Sequence, residues 1–300
     1  MRPKNLALLA ALFVAFIYGV SYTVAKEVMP LYVKPYGLIV IRVLGACLIF
    51  WSLGLFMEKK RIENKDFPRL MLAALFGVGI NMLSFYKGLS MTTPINAAVL
   101  MLSTPIIVLI LSALLLKERI TPLKFMGVLI GLIGAILLIA YGQGLASNQS
   151  TFRGDVLVFI NATSYGCYLI VIKKLTAKYP AVALIKWLYL FGLIIVLPFG
   201  FNEFLAVRWQ AMPSSIYIRV GFIVVFTTVC TYLFNLFALK QLKPTTLSSF
   251  VYLQPVIATG YALFVGSDTL NPTKIVATLL IFLGVFLVTK SNSKIRVQKA

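Results

Sequence analysis

Ten apolar stretches, each close to the length of a bilayer crossing, run through this 300-residue chain. A bilayer's hydrocarbon core is about 30 Å thick and is spanned by about 20 apolar residues wound as a helix. The first stretch, Leu6 to Ala25, has that length without a charge, and the others lie at 36–57, 69–86, 94–116, 122–141, 154–172, 182–200, 214–239, 245–265 and 272–289. A soluble fold has one core and no use for ten such segments. The chain is therefore expected to be an all-α integral membrane protein with ten transmembrane helices and the lipid bilayer as its solvent.

Charge sets the orientation. The net charge of +20 raises the question of nucleic acid, yet no segment offers a basic folded face with interleaved aromatics, so no nucleic-acid partner is expected. Basic residues of a membrane protein report first on which loops stay inside. Eighteen of them lie on one side, among them Arg2, Lys4, Lys59, Lys60, Lys117, Lys178, Lys243 and the tail from Lys290 to Lys299, against five on the other, Lys26, Lys34, Lys87, Arg153 and Arg208. The rule places both termini and loops such as 58–69 in the cytoplasm, with the chain in the cell inner membrane. Connections of mostly 5–15 residues leave no room for a soluble domain. The apolar run after Arg2 and Lys4 is longer than a signal peptide's core and belongs to the repeat described next, so it is expected to stay with the protein.

The second half repeats the first. At an offset of 150 residues Pro94, Pro105 and Pro122 meet Pro244, Pro255 and Pro272, while Glu118, Lys124 and Gly134 meet Asp268, Lys274 and Gly284. Nearer the start of each half, Tyr18-Gly19 with Lys26 matches Tyr165-Gly166 with Lys173 at an offset of 147. Proline is constrained within helices, so three in register mark duplication. The unit holds five helices, and an odd number sends the second unit into the membrane from the opposite face. The expected organisation is two inverted five-helix repeats, residues 1–143 and 152–290, followed by a basic cytoplasmic tail at 291–300. Such repeats are a common basis of alternating access around a midplane site.

Polar residues inside the spans fall on single helical faces. Tyr18, Ser21, Tyr22 and Ala25 stand at i, i+3, i+4 and i+7; Asn161, Ser164, Tyr165 and Tyr168 repeat that spacing, as do Thr228, Thr231, Tyr232 and Asn235, and Thr245, Ser248, Ser249 and Tyr252. The third and fourth spans carry weaker versions with Asn81 and Ser84, and with Asn96 and Ser103. Spans two, five, seven and ten are almost wholly aliphatic or aromatic. Polar groups facing lipid are unfavourable, so six helices are expected to enclose a polar interior with four outside it. A single Ser or Thr is accounted for by bonding a backbone carbonyl, worth about 0.6 kcal/mol. Four coincident stripes, each with tyrosine that brings both apolar area and a hydroxyl, point to a cavity for an amphipathic small molecule.

Absences narrow the chemistry. The chain has no histidine, and its eight acids lie near span ends or in loops. A proton relay, a metal site and a nucleophile–base pair all lack their residues. No catalytic residue, metal or cofactor is expected. Cys47, Cys167 and Cys230 sit inside spans as small apolar residues. Arg42, Lys186, Arg219 and Lys274 lie near span ends, where snorkelling is the expected fate, although Arg42 is placed to meet a carboxylate-bearing substrate. Pro105 and Pro255 stand mid-helix at symmetry-related positions, where each removes a backbone hydrogen bond, and they are the expected hinges. Gly127, Gly131 and Gly134 form a small-residue face for close helix packing, within the monomer or in a homodimer. Asn148-Gln149-Ser150 fits a glycosylation acceptor but matters only in a eukaryotic secretory pathway.

These residues together resemble the drug/metabolite transporter superfamily and, within it, the EamA-type family, over essentially the full length and in two copies. The first copy has Pro105, Leu114-Leu115-Leu116-Lys117-Glu118-Arg119, Thr121-Pro122, Gly127 and Gly134; the second has Pro255, Gly266-Ser267-Asp268, Asn271-Pro272 and Gly284. The first-helix pair is matched by Tyr18-Gly19 and Tyr165-Gly166, with tyrosine where the family usually has Trp. Asp268 replaces the usual Glu, and Ala277 stands at the glycine position matching Gly127. The resemblance implies a basket of ten helices with both termini cytoplasmic and helices one, three, four, six, eight and nine around a central cavity. It also implies transport of amino acids and related metabolites or other small solutes.

The favoured reading is a carrier of small metabolites that exports amino acids by alternating access. Its expected substrate-binding residues are Tyr18, Tyr22, Asn81, Asn96, Tyr165, Tyr168, Thr228, Asn235, Ser249 and Tyr252. A flippase for lipids or lipid-linked sugars and a nucleoside or sugar carrier are the alternatives on the same scaffold. A membrane-embedded enzyme is the alternative of another class, disfavoured by the missing acid–base groups.

Overall fold

The computed structural model describes residues 3–56, 61–92, 94–142, 152–264 and 272–297, and every regular element among them is helical. We label the helices α1 (Pro3–Val28), α2 (Pro35–Phe56), α3 (Asn64–Met91), α4 (Pro94–Met101 and Thr104–Leu116) and α5 (Pro122–Gly142) in the first half. The second half holds α6 (Phe152–Thr176), α7 (Ala181–Leu205), α8 (Ser214–Gln241), α9 (Pro244–Ser249, a 3-10 turn at Phe250–Tyr252, then Leu253–Phe264) and α10 (Pro272–Val297).

Eight of these carry an apolar helical stretch long enough to cross a bilayer among the described residues. In the two others the described residues are fewer: the apolar stretch of α5 runs over Pro122–Leu137 and α9 is described as far as Phe264. Phe16, Leu48, Ile110, Ile133, Ile194, Ile218 and Leu279 stand exposed on the outside of the bundle. So much apolar surface belongs against lipid, not water.

The helices pair across the two halves. The most extensive contacts join α5 to α10, α3 to α6 and α2 to α7, followed by α1 with α8. Helix α1 also lies on α9, and α6 on α4, so the first helix of each half packs on the third and fourth of the other. Small residues permit these approaches. A Cβ added at Gly127 would lie 2.9 Å from the Gly284 carbonyl oxygen and 3.0 Å from Leu287 Cβ. The α5 glycine face is therefore filled by α10 of the same chain, which is the packing alternative.

Irregularities recur at the spacing of the sequence repeat. A π-turn interrupts α3 at Leu75–Gly79 and α8 at Val225–Cys230. The fourth helices break at corresponding places, between Met101 and Thr104 in α4 and at Phe250–Tyr252 in α9. Pro105 therefore opens a new helical segment. At that place its missing N–H removes no helical bond. Lysines tie down the ends of the third helices. Lys26 Nζ donates to the Leu89 and Thr92 carbonyls at 2.8 and 3.0 Å; Lys173 Nζ donates to those of Leu239 and Leu242, the latter at 2.8 Å.

The α4–α5 turn is locked from within. Lys117 adopts φ 51° and ends α4 in the left-handed region. The turn leaves Glu118 buried, where its carboxylate pairs with the buried Lys124 and accepts from Thr245 Oγ1 at 2.7 Å. Glu118 thus joins the end of α4 to the start of α9, and its counterpart Asp268 lies outside the described residues.

Candidate functional site

The cavity forms where the polar stripes converge. About 770 Å³ of empty space, its open mouth included, lies between α1, α3, α6, α8 and α9. Helix α1 contributes Tyr18, Ser21 and Tyr22 above the small side chains of Ala11 and Ala15; α3 contributes Asn81, Met82, Phe85 and Tyr86. Asn161 and Tyr165 come from α6, Thr227, Tyr232 and Asn235 from α8, and Leu247, Phe250, Val251 and Gln254 from α9. Met101 of α4 and Arg42 of α2 complete the wall. Aromatic and aliphatic surface thus alternates with hydroxyls and amides, as an amphipathic solute requires.

Cross-helix hydrogen bonds hold the wall in shape. Tyr22 donates its hydroxyl to Gln254 Oε1 at 3.0 Å, joining α1 to α9. Asn161 Nδ2 donates to the Asn81 carbonyl at 2.8 Å and Asn81 Nδ2 returns to the Asn161 carbonyl at 3.4 Å, a reciprocal bridge between α3 and α6. Both π-turns present a carbonyl to the interior. The one on Gly77 accepts from the Tyr232 hydroxyl and the one on Thr227 from Thr231 Oγ1 at 2.7 Å. Such turns leave backbone acceptors outside the helical ladder and concentrate at functional sites. Asn161 Oδ1, Asn235 Oδ1 and Thr227 Oγ1 are buried and have no partner among the described residues.

Of the ten residues expected to bind substrate, Tyr18, Tyr22, Asn81, Tyr165 and Asn235 line this cavity. The other four whose side chains are described lie behind or beside the wall. Tyr168 is buried against the α3 π-turn, where a Cβ on Gly77 would overlap its ring. Thr228 bonds Arg42 and the Ile223 carbonyl, Ser249 Oγ donates to the Thr246 carbonyl at 2.8 Å, and Tyr252 packs on Gly131. The Asn96 side chain lies outside the described residues. The stripes lie on helices that line this cavity, but a helical face is wider than the part of it that meets a cavity. Of the two prolines expected as hinges, Pro105 and Pro255 both follow directly on the breaks in α4 and α9.

Several polar wall residues stand outside that set of ten. Asn161 and Tyr232 belong to the stripes themselves. Tyr86 follows Asn81, Met82 and Phe85 around one face of α3, a spacing visible in the sequence. Gln254 is a mid-span amide beside Pro255, and its polarity was the available signal. Arg42 is the clearest departure from expectation. It does not snorkel: its side chain is buried and turned inward, with its guanidinium 4.8 Å from the centre of the Tyr86 ring. Lys274 is likewise buried, whereas Arg219 pairs with Glu27 and Lys186 lies over Trp51.

Comparison with known proteins agrees with this architecture. The profile of the EamA-like transporter family matches residues 5–140 and again 152–290. An uncharacterized transporter of Archaeoglobus fulgidus is 23% identical over 268 residues, covering 88% of this chain and 89% of its own length. The uncharacterized transporter YoaV of Bacillus subtilis is 24% identical over 301 residues, covering 97% and 99%. A WAT1-related protein of Arabidopsis thaliana is 19% identical and covers 95% of this chain and 84% of its own length. One solved crystal structure superimposes with a TM-score of 0.72 at 16% identity, covering 96% of this chain and 95% of that one, a likeness of fold.

Proposed function

The chain belongs to the EamA-like transporter family and is a membrane transporter, and we propose that it is a secondary carrier that exports amino acids by alternating access. The observation that carries this reading is the cavity at mid-bundle, walled by both halves of the chain and furnished with unpartnered acceptors. Tyr18 and Tyr165 bound the solute with aromatic surface, while Asn161 and Asn235 offer amide oxygens to its ammonium group. Tyr22 and Asn81 act in the wall by holding α9 and α6 in register. Tyr168, Thr228, Ser249 and Tyr252 support that wall from behind.

The two halves, 1–143 and 152–290, act as the inverted repeats whose conformations exchange. Pro105 and Pro255, beside the breaks in α4 and α9, serve as the hinges. The excess of basic residues puts both termini on the cytoplasmic side of a bacterial inner membrane.

Counterflow in proteoliposomes tests this reading. Purified protein is loaded with unlabelled amino acids and offered labelled ones. We expect transient accumulation that is lost in Tyr18→Ala. Folded wild-type protein that accumulates no amino acid would overturn the assignment of amino acids.

A further inference from the structure

The carrier reading leaves open which group of the solute the protein grips, and the surroundings of Arg42 bear on that. Arg42 is the one charged side chain among the described cavity-lining residues and is 4% exposed. It lies seven residues into α2, about 10 Å along the helix axis. Its Nε donates to Thr228 Oγ1 at 3.0 Å, Nη1 to the Tyr86 hydroxyl, and Nη2 to the Thr227 carbonyl at 3.4 Å. Thr228 is itself held by donating to the Ile223 carbonyl at 2.7 Å, which turns an oxygen lone pair toward Arg42. The guanidinium is therefore fixed from two helices, α3 and α8.

Two features of this arrangement are unfinished. No carboxylate pairs with Arg42 among the described residues, and a buried cation without a counter-ion is unfavourable. A guanidinium also has five N–H groups. Three are used, which leaves one on each terminal nitrogen.

We propose that Arg42 is the anchor for a carboxylate of the transported solute, which supplies the missing counter-ion. This rests on the carrier reading and goes further, because it requires an anionic group whatever the rest of the solute is. A phosphate monoester carries about −1.5 to −2 at neutral pH, and the cavity wall has no second cation among the described residues to balance it. An amine without a carboxylate would place a second positive charge beside an uncompensated one. A zwitterion satisfies both ends, with its ammonium on the free amide oxygens of Asn161 and Asn235.

The test is counterflow by the full chain in proteoliposomes, offering labelled amino acids, simple carboxylates such as 3-phenylpropionate, amines such as phenethylamine, a sugar phosphate and a nucleoside. Wild type, Arg42→Gln and Arg42→Lys are compared, with elution in detergent as the check on folding. The expected result is exchange confined to carboxylate-bearing solutes. It should fall by about tenfold or more in folded Arg42→Gln, the size expected for loss of a charged hydrogen bond, and be partly retained in Arg42→Lys. Exchange of amines, nucleosides or the sugar phosphate in place of carboxylates, or undiminished exchange in Arg42→Gln, would overturn the anchor and leave the carrier standing. No exchange of any solute by folded wild type would overturn the carrier reading and the anchor with it. If Arg42→Gln does not fold, the ranking of solutes by wild type decides between the first two results.

Discussion

At the scale of single residues, the same side-chain type has different consequences in different places. Tyr18 lines the cavity, whereas Tyr252 is wholly buried with its ring against Gly131. Tyr18→Phe keeps the aromatic surface and removes a hydroxyl, so it should raise the half-saturation of exchange and leave unfolding unchanged. Tyr252→Ala should act the other way, opening a void that lowers stability by about 3 kcal/mol. Unfolding in detergent, followed beside counterflow, separates the two. If Tyr252→Ala weakened solute affinity without loss of stability, the division between wall and support would be wrong. Both tyrosines were legible as polar positions on helical faces. Which one meets the cavity was not, because that depends on the rotation of each helix against partners more than a hundred residues away.

Among the elements, the paired π-turns give α3 and α8 their shape. Gly77 stands in the first, with the Tyr168 ring so close that a methyl group has no room. Gly77→Ala gains about 1 kcal/mol of helix propensity, but overpacking in a filled site destabilises by about 1–3 kcal/mol. The second effect should win, because Tyr168 is buried on every side and cannot swing away. A lower unfolding midpoint is the expected outcome, and a raised one would mean that the π-turn can straighten. At the end of α4, Lys117 holds a backbone angle that disfavours side chains by about 1 kcal/mol or more. Lys117→Gly should therefore raise the midpoint slightly, provided Glu118 keeps its partners. Helix positions were plain in the sequence, since apolar run length and proline spacing are local. The π-turns were not, because a five- or six-residue widening leaves no mark on hydrophobicity.

For the molecule as a whole, the offsets of the repeat become mechanical correspondences. Lys26 ties the end of α1 to the end of α3, and Lys173 ties α6 to α8 in the same manner. In the proposed inverted arrangement of the two halves, these two ties fall on opposite faces of the bundle. Lys26→Met and Lys173→Met should each loosen one face. Maleimide labelling of single cysteines placed in the cavity, for example Ser21→Cys, should then shift toward opposite sides of the membrane in the two variants. Equal shifts in one direction would show that the ties do not work as a pair.

The sequence by itself determined the membrane class, the family and the duplication, and with them the six helices that carry polar faces. These follow from run length, composition and register, which add up along the chain without knowledge of contacts. Only the tertiary structure decided which of those polar residues share one cavity, and that Arg42 points inward. From seven residues inside α2 its long side chain has two outlets, the headgroup region or the bundle centre. Tyr86 on α3 and Thr227 and Thr228 on α8 make the inward one favourable. That choice is a property of three helices brought together, and no local pattern in any one of them contains it.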